Sequence, residues 1–168
     1  MAYKKYTNEA TALLSEMIST PSVSRDEKAA ADLLQKRIKA WGLPCKRIGN
    51  NLIVARRISK KKPTLLLNAH IDTVKPVATW TRDPFQPVLE DGKLYGLGAN
   101  DCGGGLVSLL MAYRILMNKD NLPYNIIYVA SCEEEVSGQD GFSAVLPHLP
   151  AIDVAIVGEP TGMQPAIA

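Results

Sequence analysis

The sequence predicts a layered α/β fold. Apolar runs of strand length alternate with segments whose apolar residues recur at helical spacing. Histidine and acidic residues follow the strand runs directly, at the edge where open α/β sheets place their ligands. The 168 residues are 46% hydrophobic and 21% charged, enough for one domain with a core and unlike a disordered chain. Nineteen Lys and Arg against seventeen Asp and Glu leave a net charge of +2. That balance gives no reason to expect a nucleic-acid or anionic-membrane partner. No apolar run approaches the roughly 18 residues of a membrane span, and Met1–Thr20 has no signal-peptide core. Cys45, Cys102 and Cys132 are odd in number and widely spaced, which argues against a disulfide scaffold. A soluble, cytoplasmic protein is expected.

The elements follow in order. Ala10, Leu13, Leu14, Met17 and Ile18 form one helical stripe, ended by Pro21. Ser24 with Glu27 reads as a capping box opening a second helix through Ala30, Leu33, Leu34, Ile38 and Trp41. Gly42 is placed as its C′ residue. Strands are predicted at Asn51–Arg57, around Leu65–Leu67, at Tyr124–Ala130 and at Ile152–Val157, with a hairpin about Asp91-Gly92. Gly103–Met117 is apolar on enough sides to be a helix packed between layers, and Ser137–Leu146 reads as a short helix. Arg56, Arg57 and Lys60–Lys62 read either as an anion site or as a solvated turn, and the low net charge favours the turn. No repeat or linker divides the chain.

Four places carry chemistry. His70 and Asp72 sit two residues apart after a strand, sharing one face. Alone, His70 reads as a buried, hydrogen-bonded histidine. With a carboxylate placed to take its second N–H, it reads as a metal ligand. Asp101 precedes a helix and alone reads as an N-cap, but Gly103–Gly105 would let backbone approach an ion or substrate closely. Glu133, Glu134 and Glu135 follow an apolar strand. Three adjacent carboxylates there favour a cation that absorbs their repulsion over a solvated loop, with one Glu holding metal while a neighbour moves a proton. Glu159, before Pro160, reads equally as a ligand or a surface acid. A Gly-x-Ser-x-Gly elbow and a Walker-type loop are missing from the sequence. Cys102 and Cys132 read as packing residues, since acidic surroundings raise a thiol pKa. His148, between prolines, reads as a surface histidine.

The segments Leu67–Val74, Trp80–Phe85, Tyr95–Asp101, Glu133–Glu135 and Gly158–Thr161, in this order and spacing, resemble the di-zinc amidohydrolases and peptidases. That family includes acetylornithine deacetylase, succinyl-diaminopimelate desuccinylase, aminoacylase and carboxypeptidase G. The resemblance implies a layered α/β/α zinc-exopeptidase-like sheet and two Zn2+ ions, with Co2+ as a substitute. It implies that His70 and Glu159 hold one ion and Glu135 the other, with Asp101 bridging. Asp72 would orient His70, and Glu134 would be the general base. It further implies a cis Asp101–Cys102 peptide. Glu133 stands where the family usually has Asp, and Cys102-Gly103 replaces its x-Lys, so that lysine's role does not transfer. The Gly-Glu-Pro-Thr ending leans towards acetylornithine deacetylase and arginine biosynthesis, with an N-acyl amino acid as substrate.

The family's catalytic domain continues past the equivalent of Ala168, into a lid and dimerisation domain and a further histidine ligand. Residues 1–168 are therefore expected to be the N-terminal part of the catalytic domain, with no second domain and little turnover alone. The complete protein is expected to be a homodimer through its lid. Within the family, a dipeptidase, aminopeptidase or desuccinylase is the alternative. Outside it, the alternative is a non-catalytic α/β module that binds metal or peptide, which the presence of Glu134 disfavours.

Overall fold

The computed structural model describes residues 3–167. Helix α1 (Lys4–Ile18) buries Leu13, Leu14, Met17 and Ile18, the predicted stripe. Helix α2 (Lys28–Ala40) buries Ala30, Ala31, Leu34 and Ile38. It ends as predicted on Gly42 at φ +75, with Gly42 N–H on Lys39 O and Leu43 N–H on Ile38 O. Its beginning differs from the expected capping box. Glu27 occupies the N-cap position without a side-chain cap bond. Arg25, which would be the first helical residue after a Ser24 cap, has φ +75, and the Ser24 hydroxyl donates to Asp72 Oδ2 at 2.7 Å instead. A buried, charged acceptor outcompetes the local helix end.

Strands β1 (Lys46–Ile48), β2 (Asn51–Arg56), β3 (Thr64–His70), β6 (Asn125–Ser131) and β7 (Val154–Val157) form one sheet in the order β1-β2-β6-β3-β7. Pairings β1–β2 and β2–β6 are antiparallel, while β6–β3 and β3–β7 are parallel. The sheet is therefore mixed. Strand β1 is too short and polar to have announced itself in the sequence. β6 is buried at all seven residues, as the unbroken apolar run requires. Strands β4 (Val88–Glu90) and β5 (Lys93–Tyr95) make the predicted hairpin, with Asp91 and Gly92 both at positive φ, the demand of a type I′ turn.

Helix α3 (Gly105–Met117) buries Leu106, Val107, Leu110, Met111 and Tyr113. It packs with α1 and α2 over Leu52, Val54, Leu67, Ala69, Ile126, Tyr128 and Ala130 of one sheet face. The opposite face, Ile53, Leu66, Ile127 and Val129, meets Phe142, Val145, Leu149 and Ile152. Helix α4 is only Phe142–Val145, shorter than the predicted Ser137–Leu146. Residues before it are spent on turns, with Ser137 N–H on Glu134 O and Gly138 N–H on Glu133 O. The basic stretch is a turn between β2 and β3. Asn125 secures it by accepting the Ile58 and Ser59 N–H groups and donating to the Ser59 and Lys62 carbonyls.

Candidate metal centre

Because β6, β3 and β7 run parallel, their carboxyl ends lie side by side. His70 is opposite Ser131, and Asn68 is opposite Val157. The segments that follow, Ile71–Thr73, Cys132–Glu135 and Gly158–Glu159, therefore meet at one edge. The irregular segment Ala99–Gly104 joins them, with Asp101 at φ −109, ψ 103, outside the helical region. Its Asp101–Cys102 peptide is cis. Helix α3 thus starts two residues later than predicted, and Asp101 does not cap it. The glycine run serves a different purpose from the expected approach to an ion. A Cβ on Gly105 would overlap the Gly158 carbonyl, and one on Gly103 would press on Gly98 O and Leu14. Cys102 Sγ also donates to Gly158 O at 2.7 Å. Backbone is packed on backbone here, fixing the end of β7 against the start of α3.

His70 lies at the centre and is 2% exposed. Its Nδ1 is 2.9 Å from the Asp72 carbonyl oxygen, which can only accept, so Nδ1 carries a proton. The Asp72 carboxylate, expected to be that acceptor, stands further off at 3.5 Å. Nε2 then faces the cluster: Asp101 Oδ1 at 3.1 Å, and Glu134 Oε2 and Glu159 Oε2 each at 3.9 Å. Burial works to lower the His70 pKa, but the Asp72 carboxylate and carbonyl, helped by Glu159, more than offset it and raise the pKa to about 9.

The Asp72 carboxylate, fully buried, has a second task that the sequence did not suggest. It accepts the Ser24 hydroxyl and the backbone N–H groups of Glu134 (3.1 Å) and Glu135 (3.2 Å). Burial pushes its pKa up, while His70, Ser24 and the two amides together hold it below the usual carboxylate value. Glu27, 1% exposed, accepts the Arg25 N–H at 2.6 Å, the Glu133 N–H at 3.3 Å and Asn50 Nδ2 at 3.2 Å. The loop Ser22–Glu27 is also laced to the segment after β3. Ser24 N–H donates to Thr73 O, Thr73 N–H to Ser22 O, and Ser22 Oγ to Ile71 O. The sequence predicts a helix cap in this loop. Its Ser-x-x-Glu spacing fits both uses, and only the tertiary acceptors decide between them.

The three consecutive glutamates diverge. The Glu133 carboxylate packs over Gly138, where a Cβ would strike it. Glu134 is about half exposed and reaches towards His70. Glu135 provides an oxygen that clusters with His70 and Asp101, each donor atom within 4.8 Å of the others, and His70, Cys102 and Glu159 form a second such group. Burial first, then neighbouring carboxylates, raise the pKa of both Glu135 and Glu159, against the lowering effect of His70. Among the described residues no Lys or Arg pairs with Asp101, Glu134, Glu135 or Glu159. Four carboxylates around one imidazole, with no Lys or Arg paired to them among the described residues, leave negative charge that a single imidazolium does not balance, and they fit a divalent cation in its place. The donors are oxygen and imidazole nitrogen, which suit zinc and its neighbours. The Cys102 thiol is a poor ligand, since burial first and then Glu159, Asp101 and Glu134 push its pKa up to about 12. His148 is exposed near Ile53 and Ile127, on the other sheet face.

Fold and cluster together define a mixed α/β protein with a metal-type centre at the carboxyl edge of its sheet. The chain belongs to peptidase family M20/M25/M40, whose sequence profile matches residues 66–168. It is 34% identical over 162 residues to a succinyl-diaminopimelate desuccinylase of Caulobacter, covering 91% of this chain and 41% of the relative. A desuccinylase of Buchnera aphidicola is likewise 34% identical, with coverage of 92% and 44%. The chain thus spans less than half the length of these relatives. An M20-family metallo-carboxypeptidase of Sulfolobus solfataricus superposes with a TM-score of 0.73 at 24% identity, covering 89% of this chain and 37% of that one. A dinuclear metal-binding M20 peptidase of Bacillus subtilis gives 0.68 at 16% identity, covering 92% and 43%. The two sequence relatives are desuccinylases and not acetylornithine deacetylases, so they do not support the lean towards the acetylornithine branch that Gly158–Thr161 suggests.

Proposed function

We propose that the complete protein hydrolyses the amide bond of an N-acyl amino acid or short peptide with two divalent metal ions, zinc foremost, held at this edge. The observation that carries this reading is the convergence of Asp101, Glu134, Glu135 and Glu159 on the His70 imidazole with no Lys or Arg among the described residues to balance them. His70 and Glu159 would hold one ion, Glu135 the other, and Asp101 both. When bound, the ions would polarise the scissile carbonyl and acidify water. The protein's own part is positional and acid–base. The Asp72 carbonyl keeps the Nδ1 proton in place and so commits Nε2 to the centre. Glu134, half exposed beside that centre, is free to take a proton from water and deliver it to the leaving amine. A cavity of about 700 Å³ lined by Trp80, Arg82, Tyr95, Asn100 and Asp101 opens next to the site and has room for an acyl chain.

Similarity to the desuccinylases makes an N-succinyl amino acid the leading substrate, and acetylornithine is the second to test. The experiment assays the complete protein, stripped with chelator and reloaded with Zn2+ or Co2+, against N-succinyl-diaminopimelate, N-acetylornithine and a dipeptide. Metal-dependent release of the free amine from one of them is expected. Failure on all three with metal bound would leave a binding module as the better reading.

A further inference from the structure

Glu27 is a buried carboxylate with no ion pair among the described residues. Such a charge costs several kcal/mol to bury, and an apolar residue at the mouth of α2 would avoid that cost. What it has instead are three N–H donors and the positive end of α2, at whose N-cap it stands. One donor is the backbone of Glu133, 106 residues along the chain. Asp72 takes the next two amides, of Glu134 and Glu135. Three successive backbone N–H groups are thus fixed by two buried carboxylates. The turn they fix carries two side chains aimed at His70, and it includes Glu133 at φ +54, which needs such support.

We propose that Glu27 is a positioning residue of the hydrolytic site. With Asp72 it forms a buried cradle that holds the Glu133–Glu135 backbone and so sets where Glu134 and Glu135 stand. This rests on the proposed roles of those two glutamates. It requires an acceptor at the reach of a Glu side chain, and does not require the charge. Glu27→Gln keeps an oxygen at that reach. Glu27→Asp keeps the charge but falls one methylene short of an amide already at 3.3 Å.

The test uses the complete protein and follows amide hydrogen exchange over residues 131–137, thermal stability, and kcat and KM on the better substrate of the panel above. Glu27→Asp is expected to speed exchange in that segment about tenfold and to lower kcat by ten- to a hundredfold, with KM within threefold. Glu27→Gln is expected to stay within threefold of the parent on all of these. Unchanged exchange in Glu27→Asp would overturn the proposal. So would a loss of kcat as large in Glu27→Gln as in Glu27→Asp, or faster exchange spread evenly over the chain. If the parent protein hydrolyses none of the substrates, the functional reading fails, while the exchange data still decide the role of Glu27.

Discussion

The protonation of His70 should be visible as a pH-dependent stability of the metal-free protein. Its pKa rises from 6.5 unfolded to about 9 folded. Below pH 6.5 both states hold the proton and the stabilisation is complete. Between 6.5 and 9 the unfolded chain sheds the proton while the folded one keeps it, so stability falls with each pH unit. Above about 9 none of this contribution remains. A shift of this size on a side chain only 1% exposed is worth about 3 kcal/mol at 1.36 per unit. For a chain of this length that corresponds to a drop in Tm of roughly 6–12 °C. The buried thiols do not interfere. Their pKa values are raised above 9.0, so they begin to act only where the His70 effect ends. Thermal unfolding by circular dichroism in chelator, at half-unit pH steps, measures the fall, with His70→Gln as the non-titrating control. A parent Tm level from pH 6 to 9, or an equal fall in His70→Gln, would refute the argument. Excess Zn2+ should take the place of the Nε2 proton and flatten the curve.

Three further outcomes follow from the same geometry. Glu134→Gln in the complete protein should abolish hydrolysis while leaving metal content unchanged, read by turnover and metal analysis. Gly105→Ala should cost about 2 kcal/mol despite the better helix propensity of Ala, because the obstacle is the Gly158 backbone and cannot swing aside. Chemical denaturation would show it. Cys102 and Cys132 are buried, with pKa values pushed up to about 12 by burial first and then by nearby acids. Only Cys45, half buried, should react with a thiol reagent in the native protein, and a titration before and after unfolding counts the difference.

The parts of the fold written as period or punctuation were legible in the sequence. The α1 and α2 stripes, the Gly42 stop, the Asp91-Gly92 hairpin and the apolar strands each have a local cause. The placing of His70, Glu134, Glu135 and Glu159 at one sheet edge was legible too, because strand ends carry them, while Asp101 reaches the same edge on the segment before α3. What stayed hidden depends on partners far along the chain. Ser24 and Glu27 match a helix cap letter for letter, and only the proximity of Asp72 and Glu133 turns them to another use. The glycines after Asp101 suggest room for an ion or substrate, whereas Gly105 permits contact with Gly158 and Gly103 with Gly98 and Leu14, partners no local pattern could supply. Strand β1 lacks the length and apolar character that mark a strand and exists because β2 offers it an edge.

The position of β3 has a consequence for how the chain reaches this structure. β3 pairs on one side with β6, where Asn68 meets Val129 across 61 residues, and on the other with β7, which is later still. His70 and Asp72 must therefore wait, unpaired, until β6 and β7 have been synthesised before the neighbours that define their geometry arrive. Closing loops of this length comes before any reward from the contacts they bring. Folding should be slow compared with a helical protein of equal size, and the metal-type centre should assemble only in its last stages. A cation present during folding would then find its ligands scattered until the sheet has closed.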